Sequence, residues 1–209
     1  MKQKTKKAIK QTAIIAIVLS SVLIGISAMN MKQIVDETDI GKTLTYPIIT
    51  KEVLKHKPTI EKYAEEYEVT EHVDVLLAMM MQESKGRGDD PMQSSESYCG
   101  QVGCINDPEL SIKQGVYYFS ENLKAADGDL KLAVQSYNFG KGFIQYAKEQ
   151  VGQYTQEVAI EFSQKMYEEA PDPSIYSCLR EGAEEFNACY GDIYYVRDVM
   201  EYREVFAAK

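Results

Sequence analysis

Residues 73–84 read Val-Asp-Val-Leu-Leu-Ala-Met-Met-Met-Gln-Glu-Ser, an apolar run that closes on three polar residues. The run is apolar on almost every side when it is wound as a helix, and this pattern is typical of a helix buried in the core of a domain. Thr70 precedes it as a candidate N-cap, and Gly86 and Gly88 follow it as helix-ending residues. The segment therefore predicts a central helix that carries Glu83 at its end.

Glu83 is the residue that this position singles out for chemistry. Burial beside methionines 79–81 is expected to desolvate its carboxyl group, and desolvation raises a carboxyl pKa. An acid that stays protonated near pH 7 can donate its proton to the oxygen of a departing group. The alternative is a helix-terminal glutamate that simply faces water, and the spacing within this segment alone favours that alternative.

Helical periodicity continues on both sides of this segment, and no stretch alternates as a strand would. Pro58 and Ser111 are expected to begin two of the helices. The polar stretch 84–110 has no period and is predicted to be a long loop, which in a compact domain is usually functional or disordered. The predicted helices are 58–68, 71–83, 111–123, 130–137, 143–148, 154–167 and 193–206. Together they predict an all-α fold in one domain over residues 55–207.

The first thirty residues differ in kind from the rest. Five lysines stand within the first twelve residues, and an apolar run follows from 13 to 29. This run is long for the apolar part of a cleaved signal (about 7–15 residues) and short for a spanning helix (~20 residues). We expect residues 1–30 to form an uncleaved membrane helix with its lysines in the cytoplasm, followed by a stalk over 31–54. A cleaved signal is the alternative, and either one places the domain outside the cytoplasm.

The charge of the chain argues against one class of partner. The formal net charge is −9, and setting aside the five N-terminal lysines leaves −14 for the remainder. Nucleic-acid binding requires a basic surface, which an acidic body does not offer. An anionic polymer would likewise have to be held by a shaped groove rather than attracted by net charge.

The cysteines all fall in the part of the chain that is expected outside the cytoplasm; they are Cys99, Cys104, Cys178 and Cys189. An even number in an exported domain indicates two disulfides. Three pairings are possible, and proximity along the chain favours Cys99–Cys104 and Cys178–Cys189. A zinc site is the competing interpretation, but there is no C-x-x-C pair and both histidines lie far away in sequence. A catalytic Cys–His pair would need protection from oxidation in that location. No metal ligand set is predicted.

A series of short motifs surrounds Glu83 in a fixed order. It consists of Gln82-Glu83-Ser84, Asp90-Pro-Met-Gln-Ser-Ser-Glu-Ser97, Asp107-Pro108-Glu109-Leu110-Ser111-Ile112 with Gly115, Tyr137-Asn138-Phe139-Gly140, and Tyr190-Gly191-Asp192 with Tyr195-Val196. Each motif alone is unspecific, but the ordered set is specific. It resembles the lysozyme-like superfamily of goose-type lysozymes and soluble lytic transglycosylases, and within it the muramidase domain of bifunctional wall hydrolases of Gram-positive conjugative elements. The resemblance covers most of residues 55–205.

The resemblance implies a role for each matching residue. Glu83 would be the general acid that protonates the glycosidic oxygen. The other site residues would be Ser84 and Gln93 beside the acid, Tyr137 and Asn138 on the opposite wall, Gly140 in a tight turn, and Tyr195 from the last helix, bonding near Glu83 or stacking on a sugar. The alternatives are that Tyr137 and Tyr195 are core tyrosines and that Asn138 simply occupies a turn.

The motifs do not by themselves identify the second carboxyl group of the reaction. Inverting hydrolysis requires a base roughly 6.5–9.5 Å from the acid, and retaining hydrolysis requires a nucleophile at about 5 Å. Asp90 is the first candidate and Glu96 the second, since both lie in the loop that follows Glu83. Two other routes remain open: assistance by the acetamido group of the substrate, or release of a 1,6-anhydro sugar, as in lytic transglycosylases.

The resemblance and the N-terminal segment together imply a membrane-anchored muramidase. It would cleave the β-1,4 bond between N-acetylmuramic acid and N-acetylglucosamine of peptidoglycan without a metal or an organic cofactor. Its partners would be the glycan strands, the membrane and, by analogy, a secretion or conjugation apparatus. A lytic transglycosylase that uses the same acid is one alternative. An inactive glycan-binding scaffold is another, against which the intact motif residues argue.

Overall fold

The computed structural model describes residues 48–178 and 180–208, and every regular element among them is helical. The helices are α1 (Lys51–Glu66), α2 (Val73–Glu83), α3 (Ser95–Cys99), α4 (Pro108–Ala125), α5 (Leu130–Phe139), α6 (Gly142–Gln150), α7 (Gln156–Glu168) and α8 (Tyr195–Ala207). Two 3₁₀ turns lie at Thr70–His72 and Pro173–Ile175. The all-α prediction is confirmed.

The predicted membrane segment lies outside the described residues. Within them, no helix has both the length and the apolar character needed to cross a bilayer.

Helix α2 lies at the centre of the domain. Its residues from Val75 to Met81 are all buried, as the sequence predicts, and α1 and α8 pack against it. The helix begins at Val73 rather than next to Thr70, because Thr70 opens the preceding 3₁₀ turn and its side chain caps nothing. Around this centre, α4 packs on α1 and α5, and α5 also contacts α6 and α8.

Helix α1 begins earlier than its proline suggested. The Thr50 hydroxyl caps it by accepting a hydrogen bond from the Val53 amide at 3.5 Å, and it donates to the Lys85 carbonyl at 2.8 Å. A threonine N-cap satisfies an amide that would otherwise have no partner, and this outweighs the preference of Pro58 for a first turn. The last residues of the predicted stalk, 51–54, therefore belong to α1.

Two other predicted helix boundaries, the start of α4 and the end of α5, also differ from those in the structure. Helix α4 begins at Pro108, because the Asp107 side chain accepts from the Glu109 amide at 3.1 Å, and Ser111 is not its cap. Helix α5 runs on to Phe139, so Asn138 lies on a helix rather than in a loop. The stretch 84–110 is mostly irregular, as predicted, but it includes the short helix α3.

Both disulfides pair as proximity suggested. Cys99–Cys104 joins the end of α3 to the loop before α4, and Cys178–Cys189 closes the irregular segment between α7 and α8. Each disulfide therefore restrains a segment that has little helical structure of its own.

Candidate active site

A groove passes the end of α2. It consists of two adjoining cavities of about 280 Å³ and 300 Å³. Both cavities are lined by Gln93, Glu96, Tyr137 and Asn138. Glu83, Asp90 and Val102 line only the first, whereas Tyr118 and Tyr190 line only the second. The groove thus has a carboxyl-rich end and an aromatic end.

Glu83 lies at the carboxyl-rich end, where it is partly buried and lines the cavity. Tyr195, at the first position of α8, is buried and donates its phenolic hydrogen to Glu83 Oε1 at 2.6 Å. Burial raises the pKa of Glu83 to about 7, and the nearby carboxylates of Asp192 and Asp90 act in the same direction. The hydrogen bond from Tyr195 opposes this rise, because it stabilises the charged form. The result is a carboxyl group that is protonated to a large extent at neutral pH.

A tight reversal of the chain directly after α2 holds Glu83 at the groove. Lys85 and Gly86 adopt positive φ angles of 60° and 75°. A side chain at Gly86 would place its Cβ only 2.6 Å from the Val53 amide nitrogen, so glycine is required there. Ser84, which was expected to line the groove, is used inside this turn: its hydroxyl donates to the Pro91 carbonyl at 2.7 Å and accepts from the Gly86 amide at 3.0 Å.

Asp90 lines the first cavity, but both of its carboxylate oxygens are engaged. The donors are the amides of Ser94 (2.9 Å) and Ser95 (3.0 Å) and the hydroxyls of Ser94 (3.4 Å), Ser95 (2.6 Å) and Ser111 (2.6 Å). Burial acts to raise the pKa of Asp90, but the hydrogen bonds from Ser111 and Ser95 outweigh it and lower the pKa below its usual range. Asp90 is therefore a charged centre that organises the loop after Glu83.

Gln93 and Glu96 face the groove from the same loop. Gln93 has a positive φ of 48°, and its side-chain amide donates to the Asp90 carbonyl at 2.8 Å. Glu96, on α3, is exposed and lines both cavities. Of the two candidates for the second carboxyl group, Glu96 is thus the one whose carboxylate is open to the groove.

Helix α5 supplies the opposite wall. The Tyr137 hydroxyl donates to the Met92 carbonyl at 2.8 Å, which ties α5 to the loop that carries Gln93. The Asn138 side-chain oxygen accepts from the Asp192 amide at 2.7 Å. Gly140 then ends the helix with a φ of 85°, as its expected place in a tight turn requires. Tyr137 and Asn138 therefore face the groove and also hold its walls together.

Three residues of the site were not assigned from the sequence. Tyr118 and Tyr190 line the aromatic end of the groove, and the Tyr190 hydroxyl donates to the Phe139 carbonyl at 3.0 Å. Asp192 is buried and accepts a hydrogen bond from Gln82, the neighbour of Glu83, at 3.3 Å. Tyr190 and Asp192 belong to a motif in the ordered series, so their positions in that motif were the available signal.

The chemistry that this groove can support is acid catalysis on a polar, ring-containing ligand. A carboxyl group with a pKa of about 7 can serve as a proton donor, and aromatic faces with nearby amides suit sugar rings and their hydroxyl groups. In residues 48–178 and 180–208, no group of three or more histidine, cysteine, aspartate or glutamate side chains is arranged to hold a metal ion.

Comparison with known proteins identifies the family of the chain. The family described as lysozyme-like matches residues 50–203. The chain is 37% identical over 161 residues to the "Uncharacterized membrane protein YocA" of Bacillus subtilis (strain 168). The aligned region covers 75% of this chain and 71% of the relative. It is also 40% identical over 154 residues to the "Bifunctional muramidase/DL-endopeptidase CwlT" of the same organism. This second aligned region covers 74% of this chain and 42% of CwlT.

A solved structure shows the same relationship in three dimensions. It is a protein of Staphylococcus aureus subsp. aureus Mu50 described as similar to lipoprotein, NLP/P60 family. The two share 37% sequence identity with a TM-score of 0.64, over 75% of this chain and 54% of that one. The chain therefore spans about half of this relative and less than half of CwlT. On the family match, the identities and the helical fold, the chain belongs to the lysozyme-like family.

Proposed function

We propose that this chain is a peptidoglycan muramidase with Glu83 as its general acid. It cleaves the β-1,4 bond between N-acetylmuramic acid and N-acetylglucosamine. The coarser part of this statement rests on the family: a lysozyme-like chain with a muramidase relative is a glycoside hydrolase or a lytic transglycosylase of peptidoglycan. The choice of bond and of the acid rests on the groove.

The observation that carries the proposal is the state of the Glu83 carboxyl group. Glycoside cleavage requires a proton on the leaving oxygen, and an ordinary glutamate has lost its proton at neutral pH. Burial raises the pKa of Glu83 to about 7, and the 2.6 Å hydrogen bond from Tyr195 holds one carboxylate oxygen in place. The other oxygen is then available to present the proton to the groove.

The second half of the reaction has two candidate routes. In the muramidase, Glu96 acts as the base that activates water, since it is exposed and lines the same cavity as Glu83. The engagement of both Asp90 oxygens by Ser94, Ser95 and Ser111 favours a second candidate function. If no carboxylate activates water, the 6-hydroxyl of the substrate closes a 1,6-anhydro ring and the enzyme is a lytic transglycosylase.

The test is a comparison of wall lysis by the wild type and two variants. Glu83→Gln is expected to lose at least about 100-fold in rate, because Gln keeps the shape but has no acidic proton. Glu121→Gln, on the surface of α4, is the matched control and is expected to lyse like the wild type. Zymography on purified peptidoglycan measures all three. Full lysis by Glu83→Gln would remove the proposal, and inactivity of the wild type would favour the glycan-binding scaffold.

Mass spectrometry of the released fragments separates the two chemistries. Reducing N-acetylmuramic acid ends support the muramidase, whereas anhydro ends support the transglycosylase. Under hydrolysis with Glu96 as the base, Glu96→Gln is expected to lower the rate about 10- to 100-fold. Under the transglycosylase reaction, Glu96→Gln leaves the rate within about twofold of the wild type.

We also propose that residues 1–30 anchor the enzyme as a single-pass membrane protein with the domain outside the cytoplasm. The support is the lysine-rich start followed by an apolar run, and the relative YocA is named as a membrane protein. The glycan strands of peptidoglycan lie on the outer side of the membrane. A secretion or conjugation apparatus that needs a local opening in the wall would lie there too. Retention in membranes washed at alkaline pH supports the anchor, and release contradicts it.

A further inference from the structure

Asp192 lies where the walls of the candidate site meet. It is only 6% exposed. Its carboxylate accepts from Gln82, next to Glu83 on α2, at 3.3 Å, and its amide donates to Asn138 on α5 at 2.7 Å. Its carbonyl oxygen accepts from the Gln135 side chain at 2.9 Å. One residue thus links the acid-bearing helix to the opposite wall of the groove.

Asp192 also holds the start of α8. Its second carboxylate oxygen accepts from the Tyr194 amide at 2.9 Å, and its carbonyl accepts from the Tyr195 amide at 3.2 Å. A carboxylate at this position satisfies amides that have no partner within the helix. Because Tyr195 is the donor to Glu83, the placement of Asp192 decides where that hydroxyl group lies.

A buried carboxylate needs a cation, and Arg180 supplies it. Two nitrogens of the guanidinium contact one Asp192 oxygen, Nε at 2.9 Å and the terminal nitrogen at 2.6 Å. The same guanidinium also pairs with Asp198 on α8. Arg180 lies in the irregular segment that the Cys178–Cys189 disulfide closes, so a covalent bond keeps it beside its partner.

We propose that Arg180 is a positioning residue for the acid: by pairing with Asp192 and holding it in place, it sets both the geometry and the electric field around Glu83. The inference rests on the proposed function of Glu83. Arg180 does not line the two cavities of the groove, so it acts through Asp192 rather than on the substrate.

The ionisable groups around Glu83 determine the sign of the effect. Tyr195 from α8 and Tyr137 from α5 are phenols that stay neutral, since burial raises their pKa values well above the ordinary value. Asp90 and Asp192 raise the pKa of Glu83, and Glu96 on α3 lines the same cavity. Arg180 is the cation paired with Asp192. Its removal leaves the charge of Asp192 unopposed and raises the pKa of Glu83 further.

The experiment follows the Glu83 carboxyl carbon by NMR titration of the full 209-residue chain, with the signal assigned by its loss in Glu83→Gln. Arg180→Gln is expected to raise the titration midpoint by roughly half a pH unit or more. Arg180→Lys keeps the charge and is expected to titrate within about 0.3 units of the wild type. Arg203→Gln is the matched control, because Arg203 on α8 pairs at 2.7 Å with Asp74 in the first turn of α2, away from the groove; it is expected to leave the midpoint unchanged.

A second variant covers the case in which Arg180→Gln does not fold. Asp192→Asn removes the buried charge that needs a cation, and it is expected to lower the Glu83 midpoint. The double variant Arg180→Gln/Asp192→Asn has no Asp192 carboxylate left without its cation. Its Glu83 titration midpoint is therefore expected to equal that of Asp192→Asn. An unchanged midpoint in a folded Arg180→Gln variant would overturn the proposal. If that variant does not fold, an unchanged midpoint in Asp192→Asn would overturn it.

Failure of this inference can be told apart from failure of the proposed function. The carboxyl titration needs no substrate, whereas lysis by the wild type and its loss in Glu83→Gln test the function alone. If both hold, the alkaline limb of kcat/KM is expected to move upward in Arg180→Gln, because a general acid works below its pKa. A purely structural role for Arg180 would lower the activity at every pH without moving that limb.

Discussion

Two opposing influences act on the proton of Glu83. Burial at the end of α2 favours the neutral carboxyl group, whereas the hydrogen bond from Tyr195 favours the carboxylate. Burial is the larger effect, so the pKa stands at about 7. A value near the working pH allows the group to donate a proton during bond cleavage and to recover one afterwards. The pairing of Glu83 with Tyr195 is thus suited to repeated proton transfer.

The replacement Tyr195→Phe tests the smaller of these influences. Loss of the 2.6 Å hydrogen bond removes a contact that stabilises the charged form, so the pKa of Glu83 rises above about 7. The alkaline limb of the pH profile of kcat/KM is expected to move upward, while kcat falls because the carboxyl group is less well oriented. Tyr202→Phe, on the same helix, is the control. A downward shift of the limb would contradict this account.

Glu83→Gln should stabilise the fold at alkaline pH. The folded protein binds the Glu83 proton with a pKa of about 7, against an ordinary value of 4.5. This contribution to stability is therefore fully present below pH 4.5 and is lost as the pH rises through 7. Glutamine has no proton to lose, so above pH 7 the variant is expected to be more stable by up to about 3 kcal/mol.

Urea denaturation at pH 4 and pH 8 measures this difference. The two proteins are expected to unfold at nearly the same urea concentration at pH 4 and at clearly different concentrations at pH 8. Equal free energies of unfolding at both pH values would show that the Glu83 carboxyl group is well solvated.

The contact between α4 and α5 sets the width of the groove. Gly115 on α4 faces Met92 and the Tyr137 hydroxyl, and a Cβ there would lie 2.7 Å from the Met92 Cβ and 2.8 Å from the hydroxyl oxygen. Only glycine allows this close approach. The glycine in the third motif of the series thus keeps the aromatic wall against the loop that carries Gln93.

The replacement Gly115→Ala is expected to cost about 1–3 kcal/mol of stability through overpacking. The rate of wall lysis should fall by more than the loss of folded protein accounts for, because Tyr137 must shift away from the Met92 carbonyl. Thermal unfolding and wall lysis, measured on the same preparation, provide the two values. Gly142→Ala is the matched control: no atom lies within 4 Å of its added Cβ, so neutral or slightly higher stability is expected.

The charge of the whole molecule opposes its approach to an anionic wall. The chain carries a net charge of −9, and the residues that line the groove include Asp90 and Glu96. Like charges repel over about one Debye length, which falls from ~30 Å at 10 mM salt to ~8 Å at 150 mM. Recognition of the glycan must then come from short-range contacts with sugar rings and hydroxyl groups.

Salt is therefore expected to accelerate lysis of intact walls. Raising NaCl from 10 to 150 mM should increase the initial rate about two- to tenfold, because screening relieves the repulsion. Turbidity clearing measures the rate, and walls stripped of their anionic polymers, which should show little salt dependence, are the control. A rate that falls with salt would indicate electrostatic attraction instead.

Much of the architecture was predictable because it depends on local pattern. The apolar run of α2 predicts a buried helix, and burial of the residues from Val75 to Met81 confirms it. The all-α class also follows from the sequence, because no stretch alternates as a strand would. The disulfides form the one of three possible pairings that chain proximity favours. The helix starts were harder, because Thr50 and Asp107 act as caps through single hydrogen bonds that periodicity does not reveal.

The roles of individual polar side chains were decided by the tertiary structure. The ordered motifs single out Glu83, but the engagement of Asp90 by three serines and the use of Ser84 inside a turn depend on which donors the folded chain brings near.

The sequence by itself determined the class of fold and the residue at the end of the central helix, because these depend on hydrophobic pattern along the chain. Tertiary structure alone decided the Tyr195 contact to Glu83 and the Arg180–Asp192 pair behind it. The physical reason is that a pKa and an ion pair depend on distances between segments far apart in the chain, and those distances exist only once the helices have packed.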